Sequence, residues 1–211
     1  MKSYSAYLFD VDGTIIDTTE LIYQCFRNTF EVFGKKGIDR ASVIEHTGLT
    51  LRDQLEIYFG PLTDERFKEI SAVHMTYQLA VYRNYLKPFA YVNDVLDALL
   101  KRGAKLGVVT SRRKDTLSLY LKETGLYEFF SAFVTPEVTD RHKPDPEPAH
   151  AALKLLGAEA SDSLLVGDSV YDIACGNRAG CETALVPWGT VDGRDPETRP
   201  TYVLKDIREL V

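Results

Sequence analysis

The sequence predicts an α/β fold: a parallel β-sheet covered by helices on both faces, with a helical cap inserted after the first strand. Three observations carry this. Short apolar runs alternate with amphipathic stretches along most of the chain, the pattern of successive strand and helix units. Two of those runs end in acidic clusters, as strands do when they deliver side chains to a site at the carboxyl edge of a sheet. Between about Asp17 and Lys87 the periodicity is helical throughout, too long a span for an ordinary crossover.

Residues 6–9 form the first strand, and residues 7–14, Tyr-Leu-Phe-Asp-Val-Asp-Gly-Thr, carry its end into a turn. Alternation along an extended backbone points Asp10 and Asp12 the same way, and Gly13 allows a sharp reversal with amides facing a ligand. Two carboxylates about 4 Å apart repel by roughly 4 kcal/mol at an effective dielectric near 20, so the pair needs a proton, a metal ion or a lysine. A polar turn is the other reading of these residues.

The inserted span holds two long amphipathic stretches, 20–33 and 65–82. Leu21, Phe26 and Phe30 share one side of the first, and Phe67, Ile70 and Tyr77 one side of the second, the expected core of a small bundle. Breakers at Thr47-Gly48-Leu49-Thr50 and Gly60-Pro61 mark loops that can reach the acidic strand ends. The connections at 17–19 and 84–88 are expected to act as hinges.

Further strands are expected at 106–109, 132–134, 164–166 and 183–186, with helices over 91–102, 114–124, 147–156 and 170–179. The strand at 106–109 runs into Thr110 and Ser111, hydroxyls that suit either a phosphate or a helix cap. Lys143 stands before Pro144 and Pro146 in a stiff loop, able to neutralise Asp10 and Asp12 or a bound phosphate. The run 164–172 ends in Gly167, Asp168 and Asp172, and with Asp10 and Asp12 it offers hard oxygen ligands that suit Mg²⁺.

Here the chain resembles the haloacid dehalogenase-like hydrolases over essentially its whole length. Asp10-Val-Asp12-Gly-Thr14, Thr110, Lys143 before Pro144, and Gly167-Asp168 through Asp172 are similar to that family's four motifs, in order. The resemblance implies a Rossmann-like three-layer catalytic core, residues 1–16 and 88–211, and a helical cap domain, 17–87. It implies a Mg²⁺-dependent phosphatase of a small phosphorylated metabolite. Asp10 is then the nucleophile that forms an aspartyl-phosphate, and Asp12 the acid and base. Asp10, Asp168, the Asp12 backbone carbonyl and, more distantly, Asp172 are implied to hold the metal. Thr110, Ser111, Lys143 and the cap residues Thr47 and Gly48 are implied to bind substrate.

A dehalogenase has no leaving oxygen to protonate, so Asp12 speaks for phosphoryl transfer. A β-phosphoglucomutase-like activity is disfavoured, because Arg52 lies one residue farther from Gly48 than in the mutase signature. Phosphoglycolate is the leading expected substrate, with inorganic pyrophosphate next. Ser111 stands where many relatives carry Asn, and Phe89-Ala90-Tyr91 replaces a frequent Pro-Gly turn at the cap exit. Trp188 and Arg194 are candidates to border the site, with loop packing and solvent exposure the alternative readings. A phospho-receiver domain also gathers acids, Thr and Lys at strand ends, but needs no cap; an idle binding protein would not need every one of these residues.

The 211 residues carry a net charge of −6, with 45% hydrophobic and 27% charged residues, ordinary values for a compact globular chain. The charge argues against a nucleic-acid or anionic-membrane partner, and no run approaches the ~18 apolar residues of a membrane span. The first residues run into a strand with no signal-peptide pattern, so the expected location is the cytoplasm and the expected state a monomer or weak homodimer. Cys25, Cys175 and Cys181 fit reduced packing residues. His46, His74, His142 and His150 read as surface or helix-end residues without a role.

Overall fold

A computed structural model of the protein describes residues 1–189 and 195–211. Six parallel strands form one sheet in the order β5-β4-β1-β6-β7-β8: β1 (Ala6–Phe9), β4 (Lys105–Val109), β5 (Ala132–Val134), β6 (Ser163–Gly167), β7 (Glu182–Leu185) and β8 (Tyr202–Val203). β1 is central, pairing with β4 on one side and β6 on the other. The strand order changes direction there, which opens a crevice at the carboxyl ends of β1, β4 and β6.

Both faces of the sheet are buried, and the alternation of β1 divides them. Tyr7 and Phe9 join Leu106, Val108, Leu164 and Val166 against α5 (Val92–Lys101) and α6 (Lys114–Glu123). Ala6 and Leu8 join Leu165 against α7 (Glu147–Leu156) and α8 (Val170–Ala179). A strand buried on both faces reads as a continuous apolar run, which is why residues 6–9 show no polar alternation.

Four helices fill the insertion: α1 (Thr19–Val32), α2 (Arg40–Glu45), α3 (Leu51–Phe59) and α4 (Asp64–Val81). The Thr47–Thr50 and Gly60-Pro61 breakers lie between helices, and Thr50 caps α3 by accepting from the Asp53 amide. Phe26, Phe30, Val43, Leu55 and Ile70 form the core of this layer. Leu21 and Tyr77 do not belong to it. They pack into the cluster on the sheet, together with Cys25 and Tyr82, so the base of the helical layer is continuous with the core beneath.

The two connections to this layer pair with each other. β2 (Ile16–Asp17) and β3 (Lys87–Pro88) form an antiparallel ribbon, with Ile16 opposite Pro88 and Asp17 opposite Lys87. Beyond it, Tyr91 takes a left-handed conformation, φ 66°, at the start of α5, under the guanidinium of Arg208. The three cysteines are buried and unpaired. Among the described residues, no helix is long and apolar enough to cross a membrane.

Candidate active site

Register brings the site residues to one edge of the sheet. Phe9 is aligned with Val108 and Val166, so Asp10 follows at the level of Val109 and Gly167, and Thr110 and Asp168 stand one residue further along the two flanking strands, at the same crevice. After Asp10 the chain reverses tightly, with the Val11 carbonyl accepting from the amides of Thr14, Ile15 and Ile16. Gly13 sits in the left-handed region, φ 79°, and a Cβ there would lie 2.5 Å from Asp168 Oδ2. Thr14 Oγ1 donates to Asp168 Oδ1 at 2.9 Å.

Asp10, Asp168 and Asp172 place carboxylate oxygens within 4.8 Å of one another. Lys143 Nζ donates to Asp10 Oδ1 and to Asp172 Oδ1, each at 2.6 Å, and all three side chains are buried. The second oxygen of Asp172 accepts from the amide and hydroxyl of Ser169, closing the first turn of α8. One ammonium thus bonds two of the three acids. Burial, followed by the negative charge of Asp172 and Asp12, outweighs Lys143 and pushes the Asp10 carboxyl up to about 7. Burial and the charges of Asp172 and Asp10 raise Asp168 as well. Burial would lower Lys143, but Asp10 and Asp172 hold it above its usual range.

This charge imbalance, together with an all-oxygen donor set, fits a hard divalent cation. Asp10 and Asp168 are the carboxylates able to hold it. Asp172 is engaged on both oxygens by Lys143 and Ser169, which places it as a support for the group.

Asp12 stands apart from the other acids. Arg112 grips its carboxylate in a bidentate pair, Nε to Oδ2 at 2.7 Å and Nη2 to Oδ1 at 2.5 Å, and stacks over the Tyr120 ring. The compensation expected from Lys143 for both Asp10 and Asp12 is therefore divided: Lys143 serves Asp10 and Asp172, and Arg112 serves Asp12. Asp10 and Asp12 open onto a cavity of about 70 Å³ between the sheet and the helical layer, space for several waters.

Thr110, Ser111, Thr47 and Gly48 all line that cavity. The Thr110 hydroxyl accepts from the Arg112 amide, and Ser111 Oγ donates to the Gly48 carbonyl at 2.5 Å, tying the β4 end to the α2–α3 loop. A Cβ on Gly48 would approach Ser169 Oγ and Tyr171 at 3.0 Å, so the glycine lets this loop rest on the α8 N-terminus. Arg52 does not follow it inward; it packs over Phe67 and pairs with Glu56 and Asp64.

Three further side chains matter here. His74 is not at a surface or helix end: it lies mid-α4, 3% exposed, lines the cavity and faces Thr29 Oγ1 at 3.2 Å. Burial, with Arg112 second, depresses its imidazole to about 3 and keeps it neutral. Trp188 borders the site loop, donating from Nε1 to the Gly13 carbonyl at 2.7 Å and stacking on Phe89, ring centroids 4.0 Å apart. Arg194 lies outside the described residues. Arg112 stands three residues past the end of β4 and next to Arg113, and nothing in the sequence separates the two arginines or points either at Asp12.

A parallel sheet with its acids at the central strand ends, roofed by an inserted helical layer, defines a capped hydrolase of the α/β class. The chain belongs to the haloacid dehalogenase-like hydrolase family, which it matches over residues 7–186. It is 33% identical over 212 residues to pyrophosphatase PpaX of Bacillus velezensis, covering 100% of this chain and 96% of that protein. It is 35% identical to pyrophosphatase PpaX of Halalkalibacterium halodurans, covering 97% and 94%. The fold is shared with β-phosphoglucomutase of Clostridium difficile, with TM-score 0.84, 18% identity and coverage of 99% and 93%.

Proposed function

We propose that this hydrolase is a Mg²⁺-dependent phosphatase of a small phosphorylated metabolite, acting through an aspartyl-phosphate on Asp10. The observation that carries the reading is Asp10 itself, a carboxylate at the end of the central strand, held by Lys143 and open to the cavity. An Asp10 oxygen attacks phosphorus in line with the leaving oxygen, and Lys143 and Thr110 stabilise the phosphoryl oxygens. Asp12 protonates the leaving oxygen and then takes the proton of the water that hydrolyses the intermediate. A Mg²⁺ ion held by Asp10, Asp168 and the Asp12 carbonyl would neutralise the charge of the incoming phosphate. The helices over 17–87 act as a cap that closes the cavity and excludes water.

A phosphate monoester resembling phosphoglycolate is the leading substrate class, and inorganic pyrophosphate is the second reading, favoured by the names of relatives a third identical to this chain. The test is phosphate release from a panel of both kinds, with Mg²⁺ or with EDTA, beside Asp10→Asn. Turnover that needs Mg²⁺ and Asp10 supports the reading; turnover that survives thorough chelation or the substitution overturns it.

A further inference from the structure

The cap-side wall of the cavity carries polar groups that the proposed chemistry does not use. Gln54 of α3 and His74 and Gln78 of α4 all line it, each nine-tenths or more buried. His74 and Gln78 stand one turn apart, so they share the face of α4 that meets the cavity. Phe26, Leu49 and Met75 lie around them and keep this part of the wall otherwise apolar.

Each group presents an identifiable atom. Thr29 Oγ1 has one hydrogen and gives it to the Cys25 carbonyl at 2.7 Å, so towards His74 Nδ1, at 3.2 Å, it acts as acceptor. A neutral imidazole that donates from Nδ1 keeps its lone pair on Nε2, and burial holds His74 neutral. Gln54 Nε2 donates to the Leu49 carbonyl at 2.8 Å, which fixes the amide and leaves its buried Oε1 without a partner among the described residues. The Gln78 amide, bonded to none of the described residues either, can both donate and accept. Buried acceptors are costly to leave unpaired, so this wall is matched to a ligand that donates hydrogen bonds. It holds no cation. Among the described lining residues the cations are Arg112, spent on Asp12, and Arg113, half exposed and turned towards Asp115 and Glu137. An anionic leaving group would meet lone pairs there, with no charge to answer its own.

We propose that Gln54, His74 and Gln78 form a subsite for the leaving group, one that takes an uncharged group bearing hydroxyls, a small polyol, in preference to a carboxylate or a second phosphate. The polyol hydroxyls donate to His74 Nε2 and Gln54 Oε1, and Gln78 donates to a hydroxyl oxygen. The cavity of about 70 Å³, which the phosphoryl group must share, limits that polyol to a short chain. The inference rests on the phosphatase reading above and sets a polyol phosphate ahead of the two compounds named there.

The experiment measures kcat/KM with Mg²⁺ for four compounds: glycerol 1-phosphate, propyl phosphate, which has the same carbon chain without the hydroxyls, phosphoglycolate and pyrophosphate. The wild type is expected to prefer glycerol 1-phosphate to each of the others by roughly 100-fold, because an analogue that lacks the hydroxyls leaves the wall's polar atoms unpaired. Gln78→Met and His74→Phe keep the bulk of the wall and remove those atoms. In each, the ratio between glycerol 1-phosphate and propyl phosphate is expected to fall about tenfold, a change that a general loss of activity would not produce.

A wild type that prefers phosphoglycolate, pyrophosphate or propyl phosphate, or variants that lower glycerol 1-phosphate and propyl phosphate alike, overturns the proposal and leaves the three residues as packing. If thermal melts show that His74→Phe does not fold, Gln78→Met carries the test, since its amide bonds none of the described residues. Calorimetric binding of glycerol 1-phosphate and propyl phosphate to Asp10→Asn and to Asp10→Asn/Gln78→Met supplies a readout without turnover. If the wild type releases phosphate from none of the four compounds, the phosphatase reading fails. The subsite then stands or falls on whether glycerol 1-phosphate binds more tightly than propyl phosphate and loses that advantage with the Gln78 amide.

Discussion

Gly13 is the residue on which the most geometry depends. Its left-handed backbone and the 2.5 Å that a Cβ would have to Asp168 Oδ2 together mean that no other residue fits between the nucleophile's turn and the acid of β6. Gly13→Ala is expected to cost about 1–3 kcal/mol through backbone strain, read as a drop in Tm, and to lower activity further by displacing Asp168. Asp10→Asn acts differently: the shape is kept and the proposed nucleophile is lost, so turnover should fall by roughly 10³-fold or more while the protein stays folded. Near-wild-type kcat in that variant would contradict the role given to Asp10. These acids were legible as candidates because strand ends in a parallel sheet converge, so two apolar runs ending in acids offered Asp10, Asp12, Asp168 and Asp172 together. The partner of Asp12 was not legible, since Arg112 and Arg113 stand side by side and only the fold shows which one turns inward.

Strands of three to five residues with strong apolar runs were readable, and strands of two residues were not. β4, β5, β6 and β7 fall within a residue of their expected places, whereas β2, β3 and β8 are too short for any periodicity to register. The helices α2, six residues, and α3, nine, were not resolved either: each is under three turns, and only α3 lies between the Thr47–Thr50 and Gly60-Pro61 breakers. The buried mid-helix His74 escaped because its turn of α4 faces the cavity rather than solvent, which the sequence of a polar-looking helix does not reveal. Helix α5 allows a test at this scale. Leu96 and Leu99 are buried on the face that meets the sheet, so Leu96→Ala should lower the free energy of unfolding by about 2–5 kcal/mol, measured by denaturant titration. A loss within experimental error would mean that α5 is not a principal wall of that core.

For the whole molecule, the uncompensated acids link stability to pH. The folded protein holds Asp10 up to about 7 from an ordinary 3.8, first through burial and then through its acidic neighbours, so it binds that proton more tightly than the unfolded chain does. The stability supplied by protonation is fully present below about 3.8 and is lost as pH rises towards 7. His74, depressed to about 3 by burial, acts with the opposite sign between pH 6.5 and 3, so the wild type alone would mix the two. The difference between Asp10→Asn and wild type isolates the carboxyl. In EDTA, Asp10→Asn is expected to match the wild type near pH 4 and to become progressively the more stable protein towards pH 7, while saturating Mg²⁺ should shrink the gap. A gap that stays constant with pH in thermal melts would refute this.

The ribbon of β2 and β3 has a consequence for how the chain is threaded. Asp17 leaves the sheet layer and Lys87 returns to it as opposite members of one antiparallel pair. Their backbones are therefore about 5 Å apart, the spacing of a simple hairpin. The intervening helices begin and end at one point, so the closure entropy that the rest of the chain must meet there is that of a short turn, already supplied by the ribbon's own hydrogen bonds. Lengthening, shortening or exchanging those helices leaves Asp10, Lys143 and Asp168 threaded as before. The helical layer can change in one segment while the acids at the strand ends stay anchored in another.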